Sequence, residues 1–256
     1  RFHWENAGGR HYDNPPELDS YPFVSLLIPC HNERENIEET IVYASQQEYP
    51  NYEIIAINDG SSDDTYKVAM NFSKEHSNIQ VISQPNGGKS KALNTAIRLT
   101  DAPFILCVDA DSEIGTDGLA SAIRYFKNPR VGAVAGLVKV STVKARFIQK
   151  LQTIEYHYMQ SVFRGALSWF KSVPVVPGPI GLFRRAAIVE LGGYISGDEC
   201  FAEDAELSIR LLSDGWLIST DTSLVSVTQA PENLDTLLRQ RYRWIRGSIQ
   251  ALFINF

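Results

Sequence analysis

The usual fingerprints of a nucleotide-binding sheet are missing from this chain. No GxGxxG occurs in its 256 residues, so a dinucleotide-binding reading lacks its glycine turn. GGKS at Gly87–Ser90 fails as a Walker motif, because the position that must be glycine is Ser83. Basic residues are in deficit. Lys and Arg number 24 against 30 Asp and Glu, a formal charge of −6, which leaves no surplus to neutralise a nucleic-acid backbone. Cysteine is scarce: Cys30, Cys107 and Cys200 are odd in number and widely spaced. That argues against a disulfide framework or a CxxC metal site and fits a reducing compartment. No signal peptide and no run of about 18 apolar residues appears.

What is present is an ordinary globular composition, 44% apolar and 21% charged, with material for one large domain or two small ones. Residues 1–22 are polar, carry Gly8-Gly9 and Pro15-Pro16, and read as an arm or linker. Strand and helix patterns then alternate. Val24–Ile28, Tyr52–Ile57, Ile79–Ile82 and Phe104–Val108 are short apolar runs. Helical patterns over 35–46, 65–75 and from about 89 to 99 separate them, with Ile37, Ile41 and Ala44 on one face of the first. Apolar strands without clean alternation predict an α/β fold, a mostly parallel sheet with helices on both faces. Ligands bind beyond the carboxyl ends of such strands.

The second half is less regular. Val131–Val140 reads as a strand and 144–170 as a long helix with Phe147, Leu151, Ile154, Tyr158 and Val162 along one stripe. VPVVPGPIG reads as a loop and FRRAAIVELGGY as a short helix. Residues 202–212 read as a helix, 216–227 as one or two strands, and 233 to the end as an Arg- and aromatic-rich helix.

Several short stretches invite chemistry. Asp109 and Asp111 end the most apolar strand. A lone Asp there would be turn chemistry. Two at i and i+2 point to the same side and repel unless a cation sits by them. Oxygen-only ligation suits Mg²⁺ or Mn²⁺ shared with substrate phosphates. Asp59, in NDGSSDD, stands at a strand end. Asp-Gly turn chemistry and a capping box of Ser61 with Asp64 explain its neighbours but not Asn58 or Asp59. Gly87-Gly88 with Lys89 and Lys91 at a helix start offers a modest anion site. Glu203-Asp204 is, by itself, a charged first helical turn. RQRYRW places Gln240, Arg243 and Trp244 on one helix face. This reads either as an amphipathic helix on a membrane surface or as a diphosphate clamp with a sugar-stacking indole.

In order, Asn32-Glu33, NDGSSD, GGKSKALN, DAD, ED and QRYRW resemble the processive family 2 glycosyltransferases: the cellulose, chitin, hyaluronan and poly-N-acetylglucosamine synthases. QTIEY at 152–156 and PGPIGLFRR at 177–185 are most similar to the last of these. The resemblance runs from about 22 to 252. It implies a GT-A type, Rossmann-like domain over 23–232, with acceptor-side helices, and a C-terminal QxxRW helix over 233–256 at an interface. It further implies inverting, metal-dependent transfer of GlcNAc or Glc from a UDP-sugar to a growing β-linked polysaccharide. By the same resemblance Asp59 binds uracil with Asn32 and Glu33 nearby. Asp109 lies by the donor, Asp111 holds Mg²⁺ or Mn²⁺, and Lys89 sits near the phosphates. Asp204 is the general base with Glu203 beside it among the substrate-binding residues. Gln240, Arg241 and Arg243 secure the donor, and Trp244 carries the acceptor.

Ala202-Glu203-Asp204 stands where those synthases usually read Thr-Glu-Asp. Family members carry transmembrane helices, so the expectation is a catalytic piece of a membrane synthase at the cytoplasmic face of the plasma membrane. A sugar nucleotidyltransferase and a non-catalytic nucleotide- or glycan-binding module remain the alternatives. The former is disfavoured by PCHNERE in place of a basic glycine-rich loop after the first strand.

Overall fold

The computed structural model describes residues 15–141, 146–164, 167, 173–195, 197 and 199–255. Of the expected N-terminal arm, only 15–22 lies within them. The first half alternates as its pattern predicts: β1 (Val24–Cys30), α1 (Ile37–Ser45), β2 (Tyr52–Asp59), α2 (Thr65–Glu75), β3 (Ile79–Gln84), α3 (Lys89–Leu99) and β4 (Phe104–Val108). β5 (Ser112–Ile114), α4 (Gly118–Ala122), a single 3₁₀ turn and β6 (Val131–Val140) follow. Then come α5 (Phe147–His157), β7 (Ile180–Arg184), α6 (Arg185–Glu190), α7 (Glu203–Ser213), β8 (Leu217–Thr228) and α8 (Leu234–Asn255).

Among the described residues, eight strands form one sheet in the order β3-β2-β1-β4-β7-β6-β8-β5. β1 to β4 are mutually parallel. β7 then enters antiparallel between β4 and β6, and β5 pairs antiparallel with β8 at the far edge. The expected parallel sheet is therefore its first half, continued by a mixed half. β1, β2 and β4 are buried on both faces, which is why they lack alternation. Leu26, Ile28, Ile54 and Leu106 face one core with Ile37 and Ile41 of α1. Leu27, Ile55, Ile105 and Cys107 face another with Leu93 of α3 and Leu207 and Leu211 of α7.

Four readings needed correction. Ile180–Arg184, read partly as loop and partly as helix, is a central strand; Pro177, Gly178 and Pro179 just before it and Gly181 within it masked its β character. β5 was not foreseen, being three residues long. The Ser61–Asp64 capping box does not form. Asp64 makes no side-chain cap bond, while the Asp63 carboxylate accepts from the N–H and hydroxyl of Thr65, and the Ser61 hydroxyl accepts from the Asn32 N–H. The long helix is regular over Phe147–His157 and widens to π geometry over Tyr158–Phe163, a form that concentrates at functional sites; 144–145, 165–166 and 168–170, and the side chain of Val162, lie outside what is described.

Candidate active site

Parallel pairing brings the carboxyl ends of β1 to β4 to one edge, so the loops that leave them meet there. Asp59 is 3% exposed. Its Oδ1 accepts from Gln84 Nε2 (2.7 Å) and the Gly87 N–H (3.0 Å), and its Oδ2 from the Gly88 N–H (2.7 Å). Gly60, at φ +67°, allows the close approach: a Cβ there would sit 2.6 Å from the Asn86 nitrogen. Asn32 is the one non-glycine residue with positive φ among those described, at 56°. Its side-chain oxygen accepts from the Ser62 N–H at 2.8 Å. Glu33 receives a bond from Asn36 Nδ2 at 2.8 Å. The three loops thus interlock around Asp59.

The second group gathers at Gly178, just before β7. Lys89 opens α3 and extends its ammonium to Asp109 Oδ1 (2.5 Å) and Glu203 Oε1 (3.3 Å). The Gly178 N–H donates to Asp204 Oδ2 at 3.1 Å. A Cβ on Gly178 would stand 3.0 Å from Lys89 Nζ and 3.5 Å from Asp204 Oδ2, so glycine leaves the space in which these groups converge. A void of ≈ 10 Å³ beneath them, lined by Lys89, Cys107, Gly178, Tyr194 and Asp204, has room for about one water.

Burial raises the Asp204 carboxyl above its usual value, and the neighbouring Glu203 charge raises it further. Lys89 and the N–H groups of Ala205 and Gly178 pull the other way. Burial would lower the Lys89 ammonium, but Asp109, Glu203 and Asp204 outweigh it and raise it. Asp111 is raised by desolvation, then by Asp109 and Glu33. Its residue is exposed rather than sealed by packing.

Among the described residues no three His, Cys, Asp or Glu are preassembled as a metal cage. Asp111 nevertheless fits a hard divalent ion. It is an exposed oxygen donor crowded by two other carboxylates, a charge arrangement that a cation relieves, and such ions complete their shells with substrate phosphate oxygens. Asp109 is already paired with Lys89 and suits a place beside the donor.

Gln240, Arg241 and Trp244 form a third group, on α8. The Arg241 guanidinium lies 4.3 Å from the centroid of the Trp244 ring and bonds Glu155 Oε2 at 2.6 Å. The Tyr156 ring stands 6.3 Å from the Trp244 ring. Gln240 Oε1 is buried without a partner among the described residues. Arg243 is exposed. Sequence reasoning missed Arg164, at the end of the π turn. Its Nη1 donates to the Gly136 carbonyl at 3.0 Å; burial lowers the guanidinium to about 10, against the opposing charge of Asp204. Its distance in sequence from every acidic motif left no local signal. Gly178 and Glu155 lay in quoted motifs, but spacing said nothing of their partners.

A Rossmann-like sheet with acidic loops at its carboxyl edge and a mixed second half defines the class: a GT-A glycosyltransferase fold. The family model described as glycosyl transferase family 2 matches residues 25–192, and the chain belongs to that family. Poly-beta-1,6-N-acetyl-D-glucosamine synthase of Staphylococcus epidermidis is 32% identical over 234 residues, 91% of this chain and 56% of the relative. The synthase of the same description from Staphylococcus aureus strain COL is 31% identical over 240 residues, 93% and 58%. The chain thus spans little more than half the length of these relatives.

Among solved structures, a Pyrobaculum calidifontis mannosyltransferase in complex with GDP-Man and Mn²⁺ superposes with TM-score 0.77 at 22% identity, covering 96% of this chain and 68% of that one. S. aureus TarS 1–349 in complex with UDP-GlcNAc gives 0.63 at 18% identity, covering 82% and 59%.

Proposed function

We propose that this chain moves GlcNAc or Glc from a UDP-sugar to a hydroxyl of a growing β-linked polysaccharide, with inversion at the anomeric carbon. The observation that carries the reading is the convergence of Lys89, Glu203 and Asp204 on Gly178, with Asp109 paired to Lys89. The names of the synthase relatives and the UDP-GlcNAc in TarS favour GlcNAc as the sugar.

Asp204, its basicity raised, takes the proton from the acceptor hydroxyl. The hydroxyl oxygen forms a bond to the anomeric carbon from the face opposite the diphosphate. The bond from that carbon to the diphosphate oxygen breaks, and its electron pair leaves with UDP. Lys89, fixed by two carboxylates, presents positive charge to the departing phosphates. Asp111 would hold Mg²⁺ or Mn²⁺, which supplies further neutralisation of that charge. Asp59 accepts from three donors that order the loops, Gln84 Nε2 and the Gly87 and Gly88 N–H groups, leaving about one of its four lone-pair sites for a nucleobase N–H. Asn32 and Glu33 flank that position. Gln240 and Arg243 secure the donor from α8, and Trp244 carries the acceptor sugar.

α5 and α8 expose apolar side chains, including Phe147 at 74% and Phe253 at 84%, alongside Lys150 and Arg246. No described helix is long and apolar enough to cross a membrane. These two helices instead suit the surface of an anionic bilayer, in keeping with a site at the cytoplasmic face of the plasma membrane.

A panel of UDP-sugars, with and without Mn²⁺, followed by calorimetry and UDP release, tests the reading. UDP-GlcNAc or UDP-Glc should bind, Mn²⁺ should tighten binding, and Asp204→Asn should abolish transfer while keeping UDP binding. Unchanged turnover in that variant would remove the base assignment.

A further inference from the structure

Arg146, just before α5, and three residues of α5, at intervals of three, reach loop 230–232 and the start of α8. Arg146 pairs with Glu232 at 3.3 Å. Gln149 Nε2 donates to the Ala230 carbonyl at 3.0 Å, and Gln152 Nε2 to the Pro231 carbonyl at 2.8 Å. Glu155 completes the row on Arg241 at 2.6 Å. Residues three apart are neighbours on a helix, each about 60° round from the last, so the row winds across α5 from the loop before α8 to the first turns of α8 and fastens both.

The row ends where the chemistry of α8 begins. Its first three residues hold loop 230–232. The fourth alone holds the QRYRW turn. Arg241 is spent twice: its Nη2 bonds Glu155, and its guanidinium covers the Trp244 ring at 4.3 Å while standing 5.7 Å from the Tyr156 ring. Arg241 is 22% exposed at its side chain and Glu155 47%. A guanidinium on so long a stem can turn; the two rings beside it hold it in place, and the Glu155 carboxylate fixes the direction of its Nη2 edge. The plane of Arg241 in turn limits the tilt open to the indole.

We propose that Glu155 is a positioning residue that sets the orientation of Trp244 through Arg241, and that Arg241 serves this platform rather than the donor. The proposal rests on the reading of Trp244 as the acceptor surface. It assigns the QTIEY segment to acceptor binding, and separates Arg241 from Arg243, which is exposed on the same helix.

The test titrates the full chain with a β-linked N-acetylglucosamine tetrasaccharide, and separately with UDP and Mn²⁺, by calorimetry and tryptophan fluorescence. Glu155→Ala, Arg241→Gln and the double variant should each weaken the tetrasaccharide about fivefold. The double variant should be no worse than either single one, since both act through one pair. UDP affinity should stay within about twofold in all three. Glu155→Ala should also shift tryptophan emission, and that shift should vanish in a Trp244→Phe background. Glu155→Gln, which keeps the hydrogen bond without the charge, should recover part of the loss.

Additive losses, or a loss of UDP affinity equal to the loss of tetrasaccharide affinity, would overturn the proposal. Trp244→Ala separates the two levels. If it weakens the tetrasaccharide while Glu155→Ala does not, the positioning role falls alone. If it binds the tetrasaccharide normally, the platform reading falls and takes the positioning role with it.

Discussion

Gly247 of α8 rests against Ala202, two residues before Asp204. A Cβ on Gly247 would lie 2.5 Å from the Ala202 Cβ and 2.6 Å from its nitrogen. Around this contact the Cys200 thiol donates to the Gly247 carbonyl (3.3 Å), and Arg246 lies over the Phe201 ring at 4.6 Å. The helix bearing Trp244 is therefore seated directly on the start of the helix bearing Asp204.

Gly247→Ala should push α8 away from α7. Ala is favoured over Gly in a helix by about 1 kcal/mol, but overpacking costs about 1–3 kcal/mol, so a net loss of stability is expected. Transfer should fall further than stability does, because the displacement separates Trp244 from Asp204. Thermal unfolding and UDP release measured on the same preparation check this.

The pH dependence of transfer follows from Asp204. Its carboxyl is raised by burial and then by Glu203, so the ionised base is lost at a higher pH than an ordinary aspartate would give. The acid limb of the rate profile should therefore lie above the usual range of about 3.9. Glu203→Gln removes a like charge and should move that limb to lower pH. A limb that stays in place would mean that Asp204 is not the group it reports.

Arg210 and Glu206 form a bidentate pair in α7, with Nε–Oε1 at 2.5 Å and Nη2–Oε2 at 2.6 Å; Glu206 is fully buried. The same guanidinium ties down the Leu191 and Gly193 carbonyls. Arg210→Ala strands a buried carboxylate and should destabilise the fold by about 3–5 kcal/mol. Replacing both residues with apolar ones of similar volume should be much milder. Urea unfolding of the single and double variants distinguishes the outcomes.

All three cysteines are buried. Burial pushes the Cys30 thiol up to about 12 and Cys107 to about 11. Both stay protonated at pH 8 in the folded chain, so labelling by a thiol reagent should be slow until urea is added. The linkage has a definite sign. The unfolded thiols ionise near 8.5 and the folded ones much later, so stability should fall as pH rises through about 9 to 12. Unfolding midpoints across that window measure it.

Much of this molecule is written in short-range pattern. The apolar runs of β1, β2 and β4 had to be strands buried on both faces, and the helices between the first four strands required parallel connection. That alone put Asp59, Lys89, Asp109 and Asp111 at one edge. Local chemistry could not give their partners. Asp59 proved to organise Gly87 and Gly88, 28 and 29 positions on, and Lys89 to bridge Asp109 and Glu203. β7 was hidden because its place between β4 and β6 comes from pairing, not from its own five residues. Arg164 near Asp204, Glu155 on Arg241 and Gly247 on Ala202 are long-range facts of the same kind. Sequence determines which segments bury and which residue types reach the sheet edge, because period and composition act locally. Only the tertiary structure decides which charge meets which, because that depends on how helices pack after the sheet has formed.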